Sequence, residues 1–250
     1  MDKITSRKNA YIAYLRALAS DGAYRRERGE FVCDGLKLLE EAAASGAEIV
    51  SVLWKEGGTA GEAVCPRQYI APAELFDYAS AMKNSPGPLF TVRIPEREDE
   101  RAENAIILEN VQDPGNVGTV LRTANAFSVG AVVLTGDCAD LFSPKTVRAT
   151  MGAIFRQSVV RLELAELPAW LRRNGLKLYG AALSETARDL RTVDITHSAV
   201  AVGSEGRGLS RELLGLCEGE IIIPMDMHSE SLNAAVAASV LMWEMRKQSL

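Results

Sequence analysis

Apolar residues in the second half of the chain recur in short, nearly unbroken runs. Six runs are predicted to form strands: 105–110, 131–136, 157–162, 176–183, 198–204 and 220–225. Between most of them the apolar spacing is helical, at 116–128, 143–154, 165–174, 209–216 and 231–247. Short apolar strands that alternate with helices are typical of a mostly parallel sheet with helices on both faces. The pattern predicts an α/β domain over residues 105–250.

The first part of the chain has a less regular pattern. It predicts helices at 9–20, 34–46 and 73–82 and strands at 48–56 and 88–95. A charged stretch without apolar residues in helical or strand spacing follows, and within it we interpret residues 99–104 as a linker. Residues 1–98 are therefore predicted to form a separate, smaller α/β domain.

Composition limits the class of protein. The chain has 250 residues, of which 47% are hydrophobic and 24% charged, as in ordinary soluble proteins. No apolar run reaches the roughly 18 residues of a membrane span, and the N-terminus lacks the apolar core of a signal peptide. The four cysteines form no CxxC pair and the two histidines have no ligand-like spacing. We expect a cytoplasmic protein with free thiols and no metal site.

Charge is distributed unevenly. The formal net charge is −5, but residues 1–28 contain seven basic and three acidic side chains, a net charge of +4. This segment is either a solvated helix face or an edge that contacts phosphates. The candidate phosphate contacts are Arg7, Lys8, Arg25, Arg26 and Arg28.

Polar residues collect at three predicted strand ends, which is where open α/β sheets bind ligands. The first corner follows strand 105–110 and contains Asn110, Asp113, Pro114, Asn116 and Gly118, then Arg122 on the next helix. Helix capping accounts for Asp113 or Asn116. Capping does not account for Arg122, a lone cation on an otherwise small and apolar helix.

The second and third corners follow the last two strands. The second, residues 202–210, has glycines at 203, 206 and 208, in neither P-loop nor GxGxxG spacing, and it includes Glu205, which a glycine turn does not need. In the third, a strand ends at Pro224, and Ser231, Leu232 and Asn233 open an alanine-rich helix. Ser231 is a candidate N-cap for that helix.

The three corners together resemble the SpoU family of RNA ribose 2′-O-methyltransferases, within the SPOUT superfamily. The family pattern N-x-x-D-P-x-N-x-G-x-x-x-R-T is matched from Asn110 to Thr123, its glycine-glutamate-glycine turn at 203–206, and its I-P-M…S-L-N pattern at 223–225 and 231–233. The match covers roughly residues 104–250. Residues 1–98 resemble, more loosely, the ribosomal-protein-like α/β domain with which many members bind RNA.

The resemblance implies a deep trefoil knot near the C-terminus, a homodimer formed through the methyltransferase domain, and S-adenosylmethionine as cofactor. It implies catalytic roles for Arg122, Asn116, Glu205, Ser231 and Asn233. The residues that it implies for cofactor binding are Leu134, Thr135, Gly136, Gly203, Ser204, Glu205, Gly206, Ile223, Met225, Ser231 and Leu232.

The chemistry requires a weakly nucleophilic ribose 2′-hydroxyl to lose its proton as it attacks the methyl group. Arg122 is the candidate, in one of two roles. Either it is desolvated, oriented by Asn233 and Ser231, and accepts the proton, or it stays charged, grips the adjacent phosphate and stabilises the developing alkoxide. For Glu205 we favour an organising role over that of a base.

The RNA substrate is not encoded in these motifs. An N-terminal domain of this type is common among members that act on large-subunit ribosomal RNA, so we expect that substrate. The alternatives are transfer RNA, or a non-catalytic RNA-binding relative of the same fold. The intact set of Arg122, Asn116, Glu205, Ser231 and Asn233 argues against a non-catalytic protein.

Overall fold

A computed structural model describes residues 1–58, 65–95, 101–226 and 231–247. By its contacts the chain forms two compact units. Unit 1 comprises Met1–Glu96 and Asp140–Arg156, and unit 2 comprises Arg97–Ala139 and Gln157–Leu250. Among the described residues, no helix is long and apolar enough to cross a bilayer.

Unit 1 is built on a sheet of five strands within the described residues. The strands are β1 (Asp2–Lys3), β2 (Glu30–Asp34), β3 (Ile49–Lys55), β4 (Arg67–Ala71) and β5 (Leu89–Arg93). Their order is β1-β4-β3-β5-β2, and β5 runs antiparallel to both of its neighbours. The helices before residue 96 are α1 (Ala10–Ser20), α2 (Gly22–Arg28), α3 (Leu36–Ala44) and α4 (Ala73–Ala79).

Apolar side chains of these helices bury the two faces of the sheet. One core cluster joins Ile12 and Leu15 of α1 to Leu53 of β3, and a second joins Leu38 of α3 to Phe90 of β5. Helix α1 therefore follows the predicted amphipathic pattern: its buried positions recur at helical spacing.

Residues 140–156 belong to unit 1, although the sequence pattern assigned them to the later domain. They contain α6 (Pro144–Ala149) and a 3₁₀ turn (Ala153–Phe155) instead of one helix over 143–154. Val147 and Ile154 are buried in the cluster that contains Leu38 and Phe90. The apolar periodicity of this segment is real, but sequence spacing does not show which core it enters.

Unit 2 is the parallel sheet that the pattern predicts. Its strands are β6 (Ala105–Glu109), β7 (Ala131–Thr135), β8 (Val159–Leu162), β9 (Lys177–Ala181), β10 (Arg188–Asp189), β11 (Ser198–Val202) and β12 (Gly219–Ile222). The order is β10-β12-β9-β11-β6-β7-β8, with every described pairing parallel. Every residue of the central strands β6, β7 and β11 is buried, because helices cover both faces of the sheet.

The helices of unit 2 are α5 (Pro114–Ala126), α7 (Leu167–Asn174), α8 (Arg211–Leu214) and α9 (Ala234–Arg246), with 3₁₀ turns at Leu164–Glu166 and Leu190–Thr192. Helices α5 and α9 pack against each other. At their ends the Phe127 and Trp243 rings lie 5.7 Å apart, and Arg246 donates to the Phe127 carbonyl. This pairing joins the first and third sequence corners.

The predicted linker, residues 99–104, lies partly outside the described residues. Its described part packs on unit 2: the Asn104 side chain is buried and accepts from the Gly130 amide at 2.9 Å, and the Ala102 amide donates to Asn174. The last residues of the charged stretch are thus anchored at the start of β6.

An ion pair connects the two chain segments of unit 1. The Arg25 Nη2 atom lies 2.5 Å from Asp140 Oδ2, and the Arg25 side chain is only 6% exposed whereas that of Asp140 is 33% exposed. Arg25 also donates to the Leu18 carbonyl. A buried guanidinium that loses its carboxylate keeps the cost of desolvation without compensation.

We therefore expect Asp140→Ala to destabilise the protein by roughly 2–3 kcal/mol, discounted for the partial exposure of Asp140. Thermal and urea unfolding would measure the change. Lys3→Ala, which removes an exposed ion pair with Glu56, is the control and should have a much smaller effect. Equal effects of the two substitutions would contradict this account.

Candidate active site

A cleft of about 420 Å³ opens at the carboxyl ends of β9, β11 and β12. These three strands are neighbours in the sheet, so the segments that follow them converge. Eight of the residues predicted to bind the cofactor line the cleft: Gly203, Ser204, Glu205, Gly206, Ile223, Met225, Ser231 and Leu232. The second and third sequence corners therefore form one concave site.

The loop after β11 folds back on itself at the mouth of this cleft. The Gly208 amide donates to the Ser204 carbonyl at 2.8 Å, and Gly208 has a positive φ of 64°. A Cβ atom on Gly203 would lie 2.1 Å from the carbonyl carbon and oxygen of Gly208. Only glycine fits at position 203, since backbone occupies the space of a side chain.

Glu205 joins the three corners through an amide–carboxylate cluster of Asn116, Glu205 and Asn233. The Nδ2 atoms of Asn116 and Asn233 each donate to Glu205 Oε1 at 2.6 Å, and Asn233 Nδ2 also lies 3.1 Å from Asn116 Oδ1. The Ala234 backbone amide donates to the same Glu205 oxygen at 3.4 Å. The carboxylate lies at the N-terminus of α9, where the helix dipole favours negative charge.

Helix caps hold this cluster in place: one of the two expected residues caps α5, and an unexpected residue caps α9. Asp113, not Asn116, caps α5: its Oδ1 accepts from the Asn116 amide at 2.8 Å. Asn233, not Ser231, caps α9, accepting from the Ala235 and Val236 amides. The Asn116 side chain is consequently free to bond with Glu205, and the exposed Ser231 lines the cleft.

Arg122 lies on the exposed face of α5, in line with Gly115, Thr119 and Ala126. Within the described part of the chain its guanidinium makes no hydrogen bond or ion pair, and it is not among the residues that line the cleft. Arg122 lies on the same helix as Asn116, the cluster residue in the first turn of α5.

Leu134, Thr135 and Gly136 were predicted to bind the cofactor, and the structure places them elsewhere. They end β7, which β6 separates from β11, and the side chains of Leu134 and Thr135 are buried. A Cβ on Gly136 would lie 2.4 Å from Asn110 Oδ1, which accepts from the Asp137 amide at 2.8 Å. Gly136 and Asn110 shape a corner between β6 and β7, and they do not line the cleft.

Several cleft residues were missed by sequence reasoning. Residues 181–184 at the end of β9 line the cleft, and Ser184 Oγ donates to Glu220 Oε2 at 2.5 Å. The strand-end rule applies to β9 as well, but sequence does not reveal that β9 lies beside β11.

Burial, with nearby Glu220 and Glu109, raises the pKa of the Cys217 thiol to about 12, so this cysteine is no nucleophile at neutral pH.

Glu109 was also missed. It is buried at the end of β6 and accepts from the Ser210 amide at 2.7 Å and from Ser210 Oγ at 2.6 Å. This fixes the start of α8, immediately after the Gly208 turn. The available signal was a carboxylate at the last position of an otherwise apolar strand.

The predicted phosphate contacts of unit 1 divide into two groups. Arg25 is buried in its ion pair with Asp140, so its prediction as an RNA contact is wrong for this structure. Arg7, Lys8, Arg26 and Arg28 are exposed, with Arg7 over the Tyr78 ring and Arg28 over the Tyr24 ring.

Among the described residues no group of three His, Cys, Asp or Glu side chains could hold a metal ion.

The cleft residues fit the cofactor that the sequence implies. Apolar walls from Ile223, Met225 and Leu232 suit an adenine ring, and backbone polar groups of the 203–206 segment line the same cleft. Glu205 and Glu220 place carboxyl groups in the cleft lining, which suits a cationic sulfonium.

The sequence matches the SpoU rRNA Methylase family over residues 103–243. This chain belongs to that family. It is 31% identical to the 23S rRNA (guanosine(2553)-2′-O)-methyltransferase RlmP of Bacillus subtilis (strain 168), over 98% of this chain and 100% of that protein. The SpoU chain is thus an RNA ribose 2′-O-methyltransferase that uses S-adenosylmethionine.

Solved structures agree with this assignment. An AdoMet-bound rRNA methyltransferase from Sinorhizobium meliloti has a TM-score of 0.86 at 26% identity, covering 100% of this chain and 98% of that one. A solved structure that concerns the 2-OH methylation of C/U34 on tRNA has a TM-score of 0.53 at 27% identity. The match covers 60% of this chain and 97% of that one.

The Gly203 geometry generates a prediction for cofactor binding. Gly203→Ala should weaken S-adenosylmethionine binding by about tenfold or more, because the added methyl group displaces the 204–208 turn from the cleft. Isothermal titration calorimetry would measure this, with thermal unfolding to verify the fold. Gly219→Ala is the matched control, since Gly219 is outside the cleft lining and a Cβ there meets only the Tyr179 ring, at 4.0 Å. Similar affinities for both variants would contradict the steric argument.

Proposed function

We propose that this SpoU enzyme methylates a ribose of large-subunit ribosomal RNA, and that the cleft at 203–232 and Arg122 form its active site. The observation that carries the proposal is the amide–carboxylate cluster, which brings residues of all three family motifs together at the rim of the cleft. The ribosomal substrate is supported by RlmP, which aligns along its whole length, unit 1 included. The tRNA-related structure aligns with only 60% of the chain.

In this proposal the bound cofactor supplies an electrophilic methyl group on a sulfonium. Gly203, Ile223, Met225 and Leu232 hold it through backbone and apolar contacts, while Ser231 lines the same cleft. Holding the cofactor and the ribose together in one orientation lowers the activation barrier by several kcal/mol, about 7–11 at most.

Glu205 organises the site rather than acting as a base. One of its oxygens already accepts from Asn116, Asn233 and the Ala234 amide, so the carboxylate fixes the relative position of α5, α9 and the 203–208 turn. The Glu205 carboxylate is thus engaged in structural hydrogen bonds with groups of the protein.

Arg122 is proposed to remain charged. Its guanidinium is exposed on α5 and has no carboxylate partner among the described residues, so it can grip a phosphate of the RNA and stabilise the developing alkoxide. This observation favours the electrostatic role over proton acceptance, which would require a desolvated guanidinium.

A homodimer is proposed to form through α9. Val236, Val240 and Trp243 form an exposed apolar stripe, the α9 stripe, at positions 49%, 37% and 51% exposed. Their spacing places them on one helix face, opposite the buried residues Ala238, Leu241 and Met242. A second copy would bury this stripe, and Arg122 lies on the neighbouring helix.

Three further features are part of the proposal. We expect the C-terminal part of unit 2 to be knotted and unit 1 to be ribosomal-protein-like in its RNA binding, as the family resemblance implies. We expect a cytoplasmic location, which the four free thiols support. The domain limits of 1–98 and 105–250 remain a proposal, modified by the packing of residues 140–156 with unit 1.

The decisive experiment is an in vitro methylation assay whose substrate is ribosomal RNA extracted from cells that lack this gene. Purified enzyme with S-adenosylmethionine should add a 2′-O-methyl group at one large-subunit position, mapped by resistance to alkaline cleavage. Arg122→Lys should lower the rate by about 10²-fold or more, since lysine lacks the planar fork. Arg172→Lys, at an exposed position of α7, should retain the rate. Absence of a new methyl group would overturn the ribosomal substrate, and near-normal turnover of Arg122→Lys would refute its role.

The α9 stripe generates a prediction for assembly. Trp243→Asp should convert the dimer to a monomer, because a charge in an apolar interface is costly to desolvate. Light scattering coupled to size-exclusion chromatography would measure the mass. Leu216→Asp, at an exposed position after α8, should leave the dimer intact. A monomeric wild-type protein, or a dimeric Trp243→Asp variant, would rule out this interface.

A further inference from the structure

A second cavity lies in unit 1, remote in sequence from every family motif. It has a volume of about 380 Å³ and opens where β2, β3 and β4 begin. We call it the tyrosine pocket, and the lining residues used below are Tyr11, Tyr14, Arg28, Glu30, Arg67 and Tyr69. Its volume is at the lower end of the roughly 300–1,000 Å³ typical of small-ligand sites.

Aromatic rings form a continuous series along this pocket. The Tyr11 ring lies 4.2 Å from Tyr69 and 6.4 Å from Tyr14, measured between centroids, and Tyr24 continues the series at 6.0 Å from Tyr14. Tyr11, Tyr14 and Tyr69 are partly exposed residues that line the pocket, whereas Tyr24 lies outside its lining. Partly exposed rings in series are the surface on which unstacked RNA bases stack.

A carboxylate is fixed in the same pocket. Glu30 is 7% exposed, and its Oε2 accepts from the Tyr14 hydroxyl at 2.6 Å while its Oε1 accepts from Arg93 Nη1 at 3.2 Å. Burial and then the Glu30 hydrogen bond raise the pKa of Tyr14, so this phenol stays protonated and orients the carboxylate. Each carboxylate oxygen has two lone pairs, so Glu30 can accept two further N–H bonds.

Two exposed guanidiniums accompany the rings. Arg28 is over the Tyr24 ring, with 5.0 Å from its Cζ atom to the centroid, and Arg67 lies at the start of β4. Both line the pocket. Cations beside an aromatic slot are suited to the phosphates that flank a splayed base.

We propose that the tyrosine pocket binds one unstacked guanine of the RNA substrate, with the base on the tyrosines, its edge on Glu30 and its phosphates on Arg28 and Arg67. Guanine is the RNA base whose Watson–Crick edge presents two adjacent N–H donors, which match the two oxygens of one carboxylate. The inference rests on the proposed function for the source of the guanine. It assigns to unit 1 a base-reading site separate from the methyl-transfer cleft.

The test uses four labelled single-stranded RNA pentamers, UUNUU, in which the central base is each of the four in turn. Fluorescence anisotropy with the full-length protein and no cofactor should show that UUGUU binds about fivefold or more tightly than the other three. Arg67→Ala and Tyr69→Ala should each weaken UUGUU binding by about five- to tenfold. Glu30→Gln should remove the preference for UUGUU while retaining binding of UUUUU.

Lys83→Ala is the matched control, because it removes an exposed positive charge from unit 1 outside the pocket lining, and it should leave UUGUU binding unchanged. Arg67 is exposed, so its variant tests the pocket even where a tyrosine substitution impairs folding, which thermal unfolding would reveal. Equal affinity for the four pentamers, or an Arg67→Ala variant that binds like Lys83→Ala, would overturn the proposal. Displacement by free GMP at the same concentration as UUGUU would also overturn it, since a mononucleotide site would then explain the pocket.

Failure of the tyrosine-pocket proposal can be distinguished from failure of the proposed function. Pentamer binding is measured without methyl transfer, so guanine-selective binding in an enzyme that fails to methylate ribosomal RNA would contradict only the proposed substrate. Conversely, normal methylation of ribosomal RNA by wild type with no pocket-dependent pentamer binding would contradict only the tyrosine pocket.

Discussion

The site depends on one carboxylate oxygen that accepts three N–H donors from two chain segments. Glu205 Oε1 bonds with Asn116 on α5, and with Asn233 and the Ala234 amide at the start of α9. Two helices far apart in sequence are thereby fixed against the turn that shapes the cleft. Elsewhere the two helices contact each other through apolar packing and through the Ser239–Thr123 and Arg246–Phe127 hydrogen bonds. The Glu205 anchor adds hydrogen bonds to a charged group, which are more specific in direction than apolar packing.

The anchor requires caps that leave the right side chains free. Asp113 caps α5, which releases the Asn116 amide group, and Asn233 caps α9 with its oxygen while its nitrogen bonds with Glu205. An asparagine can do both, because it has an acceptor and donors on one planar group, whereas an ionised aspartate at position 233 would have no donor. Local helix chemistry and the assembly of the cleft are therefore satisfied by the same residues.

Sequence predicted the central strands of unit 2 well, because β6, β7 and β11 are mostly apolar and fully buried. It did not predict β10, whose two residues, Arg188 and Asp189, are polar. The family resemblance joins the loops at 203–206, 223–225 and 231–232 into one cofactor site, and in the structure they line one cleft. The resemblance also assigns Leu134, Thr135 and Gly136 to that site, but β6 separates β7 from β11, and strand order is a long-range property that local sequence does not encode. Arg25 was misread for a similar reason, because its partner Asp140 is distant in sequence.

Residues 140–156 return the chain to unit 1 after unit 2 has begun, so neither unit is a single continuous segment of the chain. A fragment that starts near residue 101 would carry Val147 and Ile154 without the Leu38 and Phe90 side chains that cover them. Conversely, a fragment that stops near residue 95 would lack part of its own interior. Replacement of the N-terminal half by simple gene fusion is therefore disfavoured. Sequence changes in the two halves are constrained to occur together, in one polypeptide.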